Sequence, residues 1–518
     1  MKIQIHALLP FLLFFYTASM AQSRPEFRGV WIATVSNIDW PADRTNNPEK
    51  QKADFIRIAD MHKRNGLNAL VVQIRPAADA FYPSTLEPWS EFLTGKQGQA
   101  PVPFYDPLQF IIEETHKRGM EFHAWLNPYR AVFNLNSSSI APDHITRKHP
   151  EWFLNYGDKK YFDPGNPAGQ AFVVQVVRDI VQRYAVDAIH MDDYFYPYRI
   201  AGKEFPDETS YRNAGTKLSK DNWRRSNCDS IIVALHRTIQ AERPGCRFGI
   251  SPFGVWRNKS QDPEGSDSKA GVTNYDDLYA DILLWLKKDW IDYVTPQLYL
   301  EIGHDKIAYE KLVNWWSRHS YGKHVYIGHG IYRAGENNSL KWKNPSEIPN
   351  QIRILREHDN IQGSIYFSSK SFEKNYNGWN DSLRNNYYKE PALLPAMPWL
   401  SNGRPAIPNA SIATTHDKQV SIEIQAEPTP SKPKPGKKHS NLKYYVIYKQ
   451  DKPSGSHEKE KHIAAILPIG GSMKWTDALT DTDQTVRYWI TAVNQTNEES
   501  QPREKKITRN NAQTWTIQ

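Results

Sequence analysis

The chain reads as an α/β protein built on a (β/α)8 TIM-type barrel, followed by a small all-β sandwich. Three observations predict this. Eight short β-like runs recur, most of them separated by helical stretches, which implies a parallel sheet with helices packed outside it. No Gly-rich phosphate loop follows the first run, as a doubly wound open sheet would favour. After about residue 390 the helical periodicity stops and alternating strands bounded by Pro, Gly, Asn and Asp take over.

The elements follow in order. The start, "MKIQIHALLPFLLFFYTASMAQS", has a basic residue, an apolar run and a small-x-small site at Ser19–Ala21, so residues 1–21 read as a signal peptide. The barrel is expected over 22–390, with runs starting at Phe27, Ala69, Glu121, Ala188, Phe248, Tyr293, Val325 and Gly363. Helices are predicted at Lys52–Asn65, Pro107–Arg118, Asn166–Tyr184, Trp223–Glu242 and Tyr275–Lys288. "KRNG" and "KRG" close two of them with a basic last turn and a Gly stop. "EPALLPAMPWL" opens a Pro-rich linker over 391–408. Residues 409–518 then read as a β-sandwich, and "YWITAVNQTNEESQP" resembles the last strands of a fibronectin type III domain.

Composition narrows the class. Hydrophobic residues make up 39% of the 518, enough for a large core and too many for a disordered chain. The net charge of +8 is spread along the sequence and densest from Pro428 to His439, which argues against a nucleic-acid partner and suits an anionic envelope surface. No apolar run after the leader is long enough to span a bilayer, so an exported, periplasmic protein without a transmembrane segment is expected. The two cysteines, Cys228 and Cys246, show no metal spacing, although a disulfide is permitted in that compartment. The 17 Trp and 27 Tyr supply flat rings suited to the apolar faces of sugars.

In a (β/α)8 barrel, function sits at the C-terminal strand ends. In "AIHMDDYF" the alternation turns Ile189 and Met191 outward and His190, Asp192 and Tyr194 toward the axis, with Asp193 at the tip and Tyr196 beyond. By the same phase the second strand offers Gln73 and Arg75 inward and Asp79 in its loop. The third offers His123, Trp125 and Asn127, then Tyr129 and Arg130. Trp40 follows the first strand and Trp256 the fifth, while Gln297, Tyr299 and Glu301 share one face of the sixth. Glycoside hydrolysis needs two carboxyl groups. An Asp of the pair Asp192/Asp193 would serve as nucleophile or stabilising base and Glu301 as general acid. Alternatively the two aspartates divide the roles, since neighbouring carboxylates push one pKa upward. The competing chemistry is a metal-dependent deacetylase on His123, His190, Asp192 and Asp193, with His304, His324 and His329 as further donors. No tight ligand spacing such as H-x-x-x-H supports it, so no metal or other cofactor is expected.

"RGVWIATVSNIDWP", "GLNALVVQIRPAADAFYPSTLEPWSEFLTGKQG", "DPLQFIIEETHKRGMEFHAWLNPYR", "FDPGNPAGQAFV", "DAIHMDDYFYPY" and "TPQLYLEIGH" resemble the bacterial glycosyl-hydrolase-like family 10 over about residues 26–390. The resemblance implies a TIM-type barrel, export to the envelope, and hydrolysis of bacterial wall glycan, particularly peptidoglycan strands lacking stem peptides. By position it places Asp192, Asp193 and Glu301 on the family's acidic motifs. Leu300 stands where many relatives carry Trp, which could alter a sugar subsite. A glycan-binding protein that kept the cleft without turnover is the other reading.

Overall fold

A computed structural model of the chain describes residues 24–336, 339–401, 403–414, 419–425, 442–453, 459–469, 473–480, 482–510 and 514–518. The predicted leader and the basic Pro428–His439 stretch lie outside the described residues.

Eight parallel strands close into a barrel in chain order: β1 (Phe27–Ile32), β2 (Ala69–Arg75), β3 (Glu121–Leu126), β4 (Ala188–Met191), β5 (Arg247–Ile250), β6 (Tyr293–Val294), β7 (His324–His329) and β8 (Gly363–Tyr366), with β8 pairing back onto β1. Each lies where a β-like run was expected. The helices Pro48–Arg64, Pro107–Lys117 and Pro167–Arg183 share one start signal. Asn47, Asp106 and Asn166 accept the first free backbone N–H groups, and a proline fills the first helical position. The helix expected over Tyr275–Lys288 is instead two short ones, Asn274–Asp277 and Ile282–Lys287. The chain breaks between them where Tyr279 takes a positive φ of 54°. The β3–β4 connection also carries a small antiparallel sheet that periodicity did not foresee, made of Arg130–Val132, Lys159–Phe162 and Phe153–Tyr156.

Outward side chains such as Ile189, Met191 and Ile250 join the helices in one large apolar core. The inward set is different. Phe27, Trp31, Val71, Trp125, Tyr293 and Tyr326 fill the axis with rings where branched aliphatics are usual. Gly249 of β5 makes room for one of them, because a Cβ there would collide with the Tyr293 ring.

After the barrel, residues 391–400 run across its N-terminal face. Leu394 packs into the axial cluster, the Leu393 carbonyl accepts from the Glu26 N–H at 2.8 Å, and Trp399 Nε1 donates to Asp292 Oδ1 at 2.9 Å. Two antiparallel sheets follow. One is β9 (Ala410–Thr414), β10 (Gln419–Ile424) and β13 (Lys474–Ala478). The other is β11 (Leu442–Pro453), β12 (His462–Pro468), β14 (Asp483–Asn494), β15 (Arg503–Arg509) and β16 (Trp515–Ile517). Val420 and Ile422 of the first sheet meet Ile447, Tyr488 and Ile490 of the second in a separate core, which makes this region a sandwich. Cys228 and Cys246 are buried free thiols, not a disulfide.

Candidate active site

The two residues that follow β4 place two carboxyl groups at the barrel mouth. Asp192 is 5% exposed and Asp193 3% exposed. Asn127 Nδ2 donates to both oxygens of Asp192, at 3.2 and 3.1 Å, and Trp125 Nε1 donates to Oδ2 at 3.3 Å. Burial pushes Asp192 up to about 6, against the opposing charge of Arg130 and these hydrogen bonds. Asp193 is pushed further, to about 7, by burial and then by the negative charge of Asp192. The Tyr198 hydroxyl donates to Asp193 Oδ2, whereas Oδ1 is buried without a hydrogen-bond partner among the described residues. Both carboxyl groups are thus raised toward neutrality, Asp193 the further of the two.

Rings frame the pair. Tyr194 and Tyr198 meet edge to face at 5.7 Å, and Tyr198 also meets Phe253 at 6.4 Å. Tyr299 is half-buried, edge-on to Trp31 at 6.5 Å and to Tyr332 at 5.9 Å. Both neighbouring tyrosines are held neutral, Tyr194 chiefly by the charge of Asp193 and Tyr198 by burial and then the same carboxyl. Gln297 donates its Nε2 to the Ser251 carbonyl at 2.9 Å and hydroxyl at 3.1 Å.

Beneath the pair a hydrogen-bonded column runs down the axis. Trp31 Nε1 donates to His190 Nε2 at 3.1 Å, so His190 carries its proton on Nδ1, 3.0 Å from the Tyr293 hydroxyl. That hydroxyl lies 3.0 Å from His123 Nδ1, and His123 Nε2 lies 3.1 Å from Glu121 Oε2. Burial holds both histidines below their ordinary pKa, so they are neutral. With both nitrogens of each ring engaged, neither has a free lone pair for a metal. Among the described residues no cluster of three or more His, Cys, Asp or Glu is placed to hold one.

Several expected residues lie elsewhere. His123 is in the column below Tyr293, not at the mouth. Arg75 was read as inward, but a register shift after Gln73 sets it opposite Leu126, whose side chain points to the outer core. One extra residue flips the phase. Arg75 is fully buried in an ion pair with Glu87 and donates to the Asn127 and Pro128 carbonyls. Trp40 packs between Phe55 and Phe81 with its Nε1 on the Gln51 carbonyl at 2.9 Å. Tyr129 and Tyr196 are buried in the outer core. Trp256 stacks on Trp315 at 6.2 Å. Asp79 is a buried loop tie that accepts from the Ala77 N–H at 3.1 Å, and Gln73 Oε1 accepts from the Thr34 and Val35 N–H groups. Glu301 is half-buried, with Oε2 taking Trp342 Nε1 at 2.9 Å and Oε1 taking the Ser339 hydroxyl at 3.4 Å. Asp192, Asp193, Asn127, Arg130, His190, Tyr194, Gln297 and Tyr299 are the expected residues that converge. Trp31 and Tyr198 were missed. Trp31 sits at the inward phase of β1 and could have been found. Tyr198 lies past Pro197 in a loop, where alternation has no force.

Fold and site together define a glycosidase-type barrel, with an acid pair and aromatic walls at the C-terminal mouth. The chain belongs to the glycosyl hydrolase-like 10 family, whose profile matches residues 26–344. It is 42% identical over 485 residues to the glycosyl hydrolase YngK of Bacillus subtilis, covering 93% of each chain. It is 36% identical over 380 residues to the glycosyl hydrolase DigH of Escherichia coli K12, covering 69% of this chain and 86% of that one. Among solved structures, the catalytic domain of a β-amylase from Paenibacillus polymyxa is similar at a TM-score of 0.48 and 12% identity, over 71% of this chain and 99% of that one.

Proposed function

We propose that the protein is an exported glycoside hydrolase that cleaves glycosidic bonds of bacterial cell-wall glycan, with peptidoglycan strands lacking stem peptides as substrate. The observation that carries this reading is the Asp192–Asp193 pair: two adjacent buried carboxyl groups at the barrel mouth, poised at about 6 and about 7, among tyrosine rings. Asp193 is the general acid. Burial and the Asp192 charge raise its pKa to about 7, its Oδ2 is fixed by the Tyr198 hydroxyl, and Oδ1, which has no hydrogen-bond partner among the described residues, is the oxygen that would give a proton to the leaving glycosidic oxygen. Asp192 is the ionised partner, oriented by Asn127 and Trp125, and its charge stabilises the positive character that develops on the sugar ring. Glu301 has both oxygens engaged by Trp342 and Ser339, so the division of roles within the pair replaces the assignment of Glu301 as acid.

The basic residue, apolar run and small-x-small site within residues 1–21 support export, and no described helix is long and apolar enough to cross a membrane. The test is mass spectrometry of products from amidase-treated glycan strands, with wild type, Asp192→Asn, Asp193→Asn and Glu301→Gln. New fragments from wild type, absent for both aspartate variants and present for Glu301→Gln, are expected. Fragments from all four proteins at equal rates would overturn the assignment.

A further inference from the structure

Buried arginines in this protein end on carboxylates. Arg28 pairs with Glu26, Arg75 with Glu87, Arg224 with Asp207 and Arg247 with Glu121. Arg130 breaks that pattern. It is only 8% exposed, yet among the described residues it makes no ion pair, and its one side-chain hydrogen bond runs from Nε to the Pro76 carbonyl at 3.0 Å. Its Nη edge is left over. The guanidinium lies 5.7 Å from the Tyr194 ring centroid and 5.4 Å from that of Phe133, so it is clamped between the mouth and the excursion that follows β3. The nearest acid of the pair is already served, because Asn127 and Trp125 occupy the oxygens of Asp192. A cation this buried is costly unless something pairs with it.

We infer that Arg130 is the specificity residue of the cleft and receives a carboxylate of the substrate through its two Nη groups. The inference rests on the cell-wall reading above. A peptide-free muramyl strand carries one such group on every second sugar, the lactyl ether carboxylate, and a strand bearing stem peptides has it blocked as an amide. The planar fork of arginine donates bidentately to a carboxylate, which lysine cannot do and an amide cannot match. Arg130 thus makes the protein read whether the peptide has been removed.

The test compares kcat/KM on peptide-free glycan strands with that on the same strands after their carboxylates are coupled to methylamine. Wild type, Arg130→Lys and Arg130→Met are assayed on both. The ratio of the two activities does not depend on how much of a variant is folded. Wild type should prefer the free acid by about tenfold or more, the scale of one charge-assisted bidentate contact. In both variants the ratio should collapse toward one, through KM, with Arg130→Lys failing despite its retained charge. An unchanged ratio in Arg130→Met would overturn the inference and leave Arg130 as a source of charge for Asp192 alone; full rescue of the ratio by Arg130→Lys would overturn the bidentate contact, because charge alone would then suffice. A wild type that cuts neither strand would overturn the cell-wall reading itself, a different and separable failure.

Discussion

The two ends of one barrel bury acids in opposite ways. At the N-terminal end, Glu121 is fully enclosed but meets Arg247 and, from the sandwich, Lys443 and Asn497. Burial alone would raise its pKa, yet the Arg247 and Lys443 charges hold it well below the usual carboxylate range. At the mouth, Asp192 and Asp193 are as deeply buried, have no ion-paired cation, and titrate near neutrality instead. The difference teaches what a partner does: a cation beside a buried carboxylate fixes its charge, and a buried carboxylate without one keeps its proton available.

Mutations at the two ends should therefore fail differently. Asp193→Asn should lower kcat/KM by about 10²–10⁴-fold, the range for a general acid, with no loss of melting temperature. Steady-state kinetics beside a thermal melt checks both halves. Glu121→Gln should do the reverse. It leaves the buried Arg247 without its counter-charge and should cost about 3–5 kcal/mol in denaturant unfolding, with turnover per folded molecule kept. A catalytic collapse in a fully stable Glu121→Gln protein would break the comparison.

The pH dependence sharpens it. Asp193 has a folded pKa raised to about 7 from an ordinary value of about 3.8, so its contribution to stability is fully present below about pH 4 and is lost as pH rises through 7. The melting temperature of Asp193→Asn relative to wild type should rise across that window. Glu121 has the opposite sign, with stability present above its ordinary range and lost in acid. In activity, the same pair should give a narrow bell, with an acid limb near pH 6 as Asp192 protonates and an alkaline limb near pH 7 as Asp193 ionises. The smallest effect belongs to Lys443→Met. Glu121 keeps Arg247, so a loss of about 1 kcal/mol is expected, read as a modest drop in the unfolding midpoint.

Much of this was legible in the chain. Alternation placed all eight strands and turned His190 and Asp192 inward, because a buried strand in a closed sheet has only two faces. It failed where the period slipped or stopped. Arg75 was misplaced by a single extra residue in β2, and Tyr198 lies in a loop whose path depends on what it packs against. Trp40, Tyr129 and Tyr196 resemble site residues in sequence because rings near strand ends look alike there, whether they face a sugar or a helix; all three lie in the outer core. The role of Lys443 could not be read at all, since it joins residues 322 positions apart.

The acids stand just past the end of β4, but the Arg130 side of the cleft is built by the excursion between β3 and β4, whose small sheet pairs with itself and not with the barrel. On the function proposed above, bond-breaking and discrimination would be encoded in separable stretches of chain. Drift or recombination in that excursion would then retarget the protein to another decorated polymer while the segment that carries the acids is inherited intact.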